Sequence, residues 1–298
     1  MSTDRTTTHN EETVEKVRDR YGRIAEGTLS GCCGPSPAAG CGTGEAKSDE
    51  AGTAASIGYG QDDLAAAPDA ANLGLGCGAP VSLLALKPGE TVLDLGSGPG
   101  LDAILAARQV GPQGRVIGVD MTPAMLERAR RTAAGAGLSH IEFREGRLES
   151  LPVEAGSVDA VTSNCVINLV PDKAAVFREV ARVLKPGGRL VISDIILDGA
   201  LPEVVAQDTL AWVGCVAGAA PRADYFAMLA AAGLGGVAIL KDFDYIAKIG
   251  ASLPDELVAK MRLSGVQVKD LEGKVRSITY RAVKPAGGTR PQRTSASS

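Results

Sequence analysis

The chain has 298 residues and a formal net charge of −4; 45% of it is apolar and only 3% aromatic. That is enough to bury one α/β domain with an appendage, and it offers neither the basic field nor the stacking platforms that nucleic-acid partners require. The longest apolar stretch, Leu210 to Ala220, is broken by Gly214 and Gly218 and falls short of the roughly 20 residues that span a bilayer.

Residues 11–25 place Val14, Val17, Tyr21 and Ile24 on a helical period, with Glu11, Glu12 and Glu15 in the first turn. They predict an amphipathic helix within a first unit, 1–26. Met1 to Lys16 lacks the cationic start and apolar run of a secretory signal, so a cytoplasmic protein with no membrane partner is expected. Its six cysteines should then stay reduced. Residues 27–60, rich in Gly, Ala, Ser, Thr and Pro, predict a flexible linker carrying Cys32, Cys33 and Cys41.

A short helix near Asp62–Ala67 and a glycine-rich turn, Asn72-Leu73-Gly74-Leu75-Gly76-Cys77-Gly78, open the next unit, 61–197. Strand-like and helical runs then alternate, as in a doubly wound parallel sheet. Strands are expected at Thr91–Leu95, Val116–Val119, Ile141–Arg144, Val158–Ser163 and Arg189–Asp194, with helices after Gly100, from Thr122 and from Lys173. Lys185-Pro186-Gly187-Gly188 ends the last helix. A further region, 198–245, holds one helix over Pro202–Val216 and a second over Ala223–Ala232 and is expected to cover a substrate pocket. Strands around Val237–Phe243 and Ser277–Val283 should close the sheet as an antiparallel pair. The segment 246–283 has no readable motif, and 284–298 is expected to be a disordered tail.

Val92-Leu93-Asp94-Leu95-Gly96-Ser97-Gly98-Pro99-Gly100 runs a strand into a glycine turn and a helix. At the carboxyl edge of such a sheet, glycines let a small ligand touch the main chain. Gly98-Pro99-Gly100-Leu101-Asp102-Ala103 also satisfies a dinucleotide fingerprint. Asp94 favours S-adenosylmethionine, since a carboxylate beside the turn attracts a cationic amino group and repels a pyrophosphate. Asp120, ending the second strand, suits the ribose of either ligand.

Asp94-x-Gly96-x-Gly98-x-Gly100, Asp120 and Leu184-Lys185-Pro186-Gly187-Gly188 resemble the motifs of class I methyltransferases. The resemblance implies a Rossmann-like, doubly wound, mostly parallel sheet with a substrate-binding α/β extension and a small C-terminal segment. It implies S-adenosylmethionine on Asp94, Gly96, Gly98, Gly100 and Asp120, with Met121, Arg147 and Leu148 beside the adenine and Asn164 near the methionine end. Arg147 stands where many relatives carry an acidic residue.

Cys165 follows the fourth strand, Cys215 lies beyond the fifth, and Cys77 lies in the turn before the first. All three are expected at one mouth. Each could be a small core hydrophobe. Zinc is disfavoured, because no C-x-x-C pair is present and the only histidines are His9 and His140. A soft centre such as As(III) suits three thiolates and keeps a lone pair that can attack a methyl group without a general base.

The segments Asn72–Gly78, Ser163-Asn164-Cys165-Val166-Ile167-Asn168-Leu169 and Gly214-Cys215-Val216-Ala217-Gly218-Ala219 closely resemble the arsenite methyltransferase family. That resemblance implies As(III), or its thiol conjugates, bound by Cys165 and Cys215 with Cys77 as third thiol. It implies Cys32 or Cys33 in the catalytic cycle, thioredoxin or glutathione as co-substrate, and mono-, di- or trimethylated products; Cys41 is left unassigned, and a chain of this size is expected to work as a monomer. Two rivals remain: a methyltransferase for an oxygen or carbon nucleophile on a molecule such as a quinone precursor, which would want a base and an aromatic-lined pocket, and a thiol metalloid-binding protein without turnover.

Overall fold

The computed structural model describes residues 2–29, 50–249 and 253–287. Cys32, Cys33, Cys41 and the segment 288–298 lie outside the described residues.

Five parallel strands form the body of the sheet: β1 (Thr91–Leu95), β2 (Arg115–Asp120), β3 (Ile141–Glu145), β4 (Val158–Asn164) and β5 (Leu184–Leu197). β1 is central, and Val92, Leu93 and Leu95 are fully buried because helices cover both faces. The sheet order is β3-β2-β1-β4-β5-β8-β7, and β6 (Ala220–Pro221) pairs with β5. β7 (Gly235–Asp244) and β8 (Val275–Val283) form the expected antiparallel pair, with β8 running against β5 from Arg189↔Val283 to Leu197↔Val275. Chain direction along the sheet reverses between β1 and β4, which leaves a crevice at their carboxyl ends.

Helix starts follow local chemistry. α4 (Leu101–Val110) begins after Gly100, whose φ of 95° is left-handed. α5 (Pro123–Gly135) has proline at its first position. α6 (Lys173–Val183) is capped by Asp172, which accepts from the Ala175 amide at 2.8 Å.

Four departures from the sequence expectations bear on the site. The first helix, α1, spans Ser2–Ala25, and buried Val17 and Ile24 dock it onto the domain. Residues inside the stretch expected to be linker form α2 (Glu50–Ile57), because Ala54, Ile57 and Tyr59 bury in the core cluster that also holds the apolar side chains of α4. α3 (Gln61–Ala66) follows as expected. The single helix expected over Pro202–Val216 is two, α7 (Glu203–Ala206) and α8 (Thr209–Val213). Asp208 breaks it by accepting from the Leu210 and Ala211 amides at 2.8 and 3.0 Å. α6 ends at Val183, ahead of Lys185-Pro186-Gly187-Gly188, and these residues form an irregular start to β5, which begins at Leu184 rather than at the expected Arg189. α9 (Arg222–Ala231), α10 (Tyr245–Ile249) and α11 (Asp255–Leu263) complete the chain. Among the described residues no helix is long and apolar enough to cross a membrane.

Candidate active site

A cleft with about 1280 Å³ of empty space, part of it open to solvent, lies at the carboxyl ends of β1, β2 and β4. Its floor is the glycine turn. Gly96 and Gly98 have φ of 63° and 50°, and a side chain at Gly98 would meet nothing within 4 Å, so the cleft reaches the bare main chain there. Gly100 does not line the cleft: a Cβ there would sit 3.1 Å from Phe143 and 3.3 Å from Ala129, so this glycine serves helix packing.

Three carboxyls surround the turn. Asp120 Oδ2 accepts from the Gly98 amide at 2.9 Å and Oδ1 from the Thr122 amide at 2.8 Å. Burial raises its affinity for a proton and these bonds partly offset the effect. Asp94 is buried with Oδ2 unpartnered, and burial, reinforced by Asp102 and Asp120, pushes its carboxyl well above the usual range. Burial lifts Asp102 to about 7, against hydrogen bonds from Tyr59 and Asn164 that hold it down. A cluster of this kind wants a cation. The Ser97 hydroxyl on the same wall is also buried without a partner. The orphaned Asp94 oxygen and the bare turn therefore fit the cationic, hydroxyl-rich S-adenosylmethionine.

Met121, Arg147, Leu148 and Asn164 all line the cleft. Arg147 pairs with Glu149 at 2.7 Å, and Glu149 is itself on the wall, so an acidic group stands two residues from where the motif suggests one. Tyr59 donates to Asp102 Oδ1 at 2.9 Å and accepts from Asn164 Nδ2 at 3.0 Å. Asn164 Oδ1 in turn accepts from the Cys77 and Gly78 amides at 3.0 and 3.3 Å. The glycine-rich segment permits this: at Gly76, with φ of 114°, a Cβ would sit 2.8 Å from Asn164 Nδ2.

The three cysteines converge from separate segments, all reduced and buried. Cys165 and Cys215 line the cleft, and Cys215 Sγ donates to the Cys165 carbonyl at 2.9 Å. Cys77 is fully buried and is not part of the cleft wall, which corrects the expectation that all three open on one mouth. The Cys165 thiol is within hydrogen-bonding contact of both others. Its bond with Cys215 lowers its tendency to stay protonated, but the bond with Cys77, burial and nearby Asp194 outweigh this and leave it well above the usual thiol range. Burial likewise pushes the Cys77 thiol up. Among the described residues no group of three His, Cys, Asp or Glu side chains is set as a ready-made metal site. The thiols are adjacent but bonded to protein groups.

Two of these cysteines carry backbone strain. Among the described residues only Ala85, Cys165 and Cys215 are non-glycine positions with positive φ, the cysteines at 60° and 65°. Cys215 takes the place of the glycine that usually ends a helix. Its amide donates to the Trp212 carbonyl at 2.9 Å and the Val216 amide to the Ala211 carbonyl at 2.8 Å, closing α8 with Cys215 at the left-handed position.

Several wall residues were not anticipated. Val14, Val17 and Tyr21 of α1, Tyr59 and Tyr245 come from segments far apart in sequence. The Tyr21 hydroxyl donates to the Val213 carbonyl at 3.3 Å, which lays α1 over the cysteine side of the cleft. Asp102 looks like an ordinary first-turn acid in the sequence, and only its burial marks it.

A methyltransferase domain model matches residues 86–250, more than half of the chain. An arsenite methyltransferase of Halobacterium salinarum is 49% identical over 231 residues, 77% of this chain and 59% of that protein. One of Aquipseudomonas alcaligenes is 44% identical over 151 residues, 48% of this chain and 43% of that protein. The chain thus spans less than two thirds of these relatives' length. The crystal structure of an arsenic(III) S-adenosylmethionine methyltransferase from Chlamydomonas reinhardtii superposes with a TM-score of 0.60 at 35% identity, covering 80% of this chain and 74% of that one. The sheet order, the glycine turn and the three converging cysteines thus meet a sequence and structural likeness of the same kind, and the chain belongs to the arsenite methyltransferase family of class I methyltransferases.

Proposed function

We propose that this chain methylates As(III) held by its own sulfurs. Cys165 and Cys215 are the ligands on the cleft wall, and Cys77 is the third, reached by a small shift once the thiols release their present bonds. The observation that supports this best is the convergence of three buried, reduced cysteines beside a glycine turn with an orphaned carboxylate. The proton inventory agrees. Each neutral thiol that replaces a hydroxyl of arsenous acid gives its proton to the departing hydroxide, so three As–S bonds form, three waters leave and no base is needed.

S-adenosylmethionine, when bound, supplies a methyl group activated by its sulfonium. Asp94 would hold the cationic end, Asp120 the ribose, Gly96 and Gly98 the main-chain contact, Met121 and Leu148 the apolar face of the adenine, and Arg147 with Glu149 its polar edge. Asn164 would join the methionine end to the Cys77 turn. Apolar side chains of α1 exclude water from the cysteine side. Positioning the lone pair in line with the methyl group is then the main catalytic task. The proposal includes a thioredoxin- or glutathione-type reductant that returns the arsenic to the trivalent state, participation of Cys32 or Cys33, a monomer in a reducing cytoplasm, and mono- and dimethylated products serving detoxification.

The test is full-length protein with arsenite, S-adenosylmethionine and a thiol reductant, arsenic species being separated by chromatography and counted by mass detection. Methylated arsenic that disappears in Cys165→Ser is expected. Cofactor binding without any methylated arsenic would overturn the assignment.

A further inference from the structure

Lys173 is buried to 7% exposure, yet it opens α6, where the positive end of the helix disfavours a cation. Among the described residues it makes no ion pair to a carboxylate; its ammonium donates instead to the Val170 carbonyl at 3.0 Å and the Asn168 carbonyl at 3.4 Å. It also lies 5.8 Å from the centroid of the Trp212 ring. Burial therefore lowers its pKa, while the charges of Asp194 and Cys215 act the other way, so the ammonium lies within the field of that sulfur. A buried cation at a helix start, bonded directly only to two carbonyls, near a ring and helped at longer range by Asp194, costs free energy and calls for a reason.

The reason lies in what it joins. Asn168 and Val170 belong to the turn that follows Cys165, and Trp212 to the helix that ends in Cys215. The Asn168 carbonyl is also where Gly218 packs, since a Cβ there would overlap it and come within 3.3 Å of the Trp212 ring. On the far side the Asn168 amide donates to Asp194 Oδ1 at 2.8 Å, and Tyr225 donates to Asp194 Oδ2 at 3.0 Å. One side of the cysteine pair is thus fixed to the core, and the ammonium, beside the Cys215 thiol bond to the Cys165 carbonyl and the packing of Gly218, bridges it to the other.

We infer that Lys173 is a positioning residue for arsenic capture: its buried ammonium ties the turn carrying Cys165 to the helix carrying Cys215 and sets the spacing of the two sulfurs. This rests on the function proposed above. Lys173→Met keeps length and apolar stem but removes the donor and the charge; Lys173→Arg keeps both. Trp212 is the chain's single tryptophan, so its fluorescence reports arsenic at the neighbouring Cys215.

The experiment titrates reduced, full-length wild type and both variants with arsenite, and with phenylarsine oxide, which needs only two thiols. Affinity for S-adenosylhomocysteine and melting temperature are measured alongside. Lys173→Met is expected to lose at least about tenfold in affinity for both arsenicals while cofactor-product affinity stays within a factor of about two, and Lys173→Arg to recover most of the loss. Wild-type arsenic affinity in Lys173→Met overturns the inference and leaves the proposed function standing. So does a parallel loss of cofactor-product affinity and melting temperature that Lys173→Arg does not rescue. If wild type itself neither binds nor methylates arsenic, the function fails first.

Discussion

Replacing Cys215 by glycine should remove arsenic binding at almost no cost in stability. At φ of 65° a side chain costs about 1–2 kcal/mol relative to glycine. Against that relief stand the buried Cβ and Sγ, worth roughly 1.6 kcal/mol at about 0.8 per buried group, and the thiol hydrogen bond to the Cys165 carbonyl. The expected net change is a loss of about 0–1 kcal/mol. Cys77→Gly is the matched control, because Cys77 is fully buried and has no positive φ. There the same burial is lost, and the flexibility of glycine adds about 1 kcal/mol, for a total near 2.6. The gap of roughly 2 kcal/mol corresponds to about 4–8 °C in melting temperature for a domain of this size. Calorimetric melting of both reduced variants, with arsenite titration followed by Trp212 fluorescence, tests the point. Both should lose arsenic affinity, and only Cys77→Gly should melt several degrees lower. Equal falls would refute the claim that the Cys215 backbone is held in strain for the sake of its sulfur.

The carboxyl cluster makes stability depend on pH. Asp102 rises from 3.8 to about 7, so the folded protein holds a proton that the unfolded chain releases. The associated stability is complete below about pH 4 and is lost as pH rises through 7, with a ceiling near 4 kcal/mol. Glu142, held to about 2 by Arg144 and then Arg115, has the opposite sign and acts only in acid, outside that window. The ligand-free protein should therefore melt lower at about pH 8 than at about pH 6, and S-adenosylmethionine should raise the melting temperature more at the higher pH. Asp194, also lifted to about 7 by burial, adds to the ligand-free slope with the same sign, so the cofactor-dependent part reports the cluster. A stabilisation by S-adenosylmethionine that does not change with pH would show that the cluster is not the cation site. Gly98→Ala should cost about 1–2 kcal/mol in stability and weaken S-adenosylhomocysteine binding at least about tenfold, since its methyl enters the cleft. Gly100→Ala should mainly lower the melting temperature through Phe143 and Ala129. Calorimetric affinity and melting of the pair separate the two roles, and a loss of affinity in Gly100→Ala at unchanged melting would reverse the assignment.

Much of the fold was legible because its signals are local. The apolar run Thr91–Leu95, the glycines after it, Asp120 at the next strand end and the amphipathic stretch from Lys173 each declare their structure within a few residues. Cys165 and Cys215 could be picked out because their positions relative to strands β4 and β5 put them at the ligand-binding edge. Where local composition misled, a distant partner had decided the outcome. Ala54, Ile57 and Tyr59 make a helix and a wall residue out of apparent linker because they bury in the core cluster that α4 helps to form, and Asp208 splits a continuous helical pattern.

The sequence by itself determined the order of elements and the glycine turn, since periodicity, glycine placement and chain order are properties of the chain alone. Only the tertiary structure decided which groups lose water and what then faces them. It kept Cys77 off the cleft wall and held two cysteines left-handed. It also raised Asp102 by burial and enclosed Lys173 between two carbonyls and a tryptophan. Desolvation and contact depend on atoms brought together from far along the chain, and no window of sequence contains both partners.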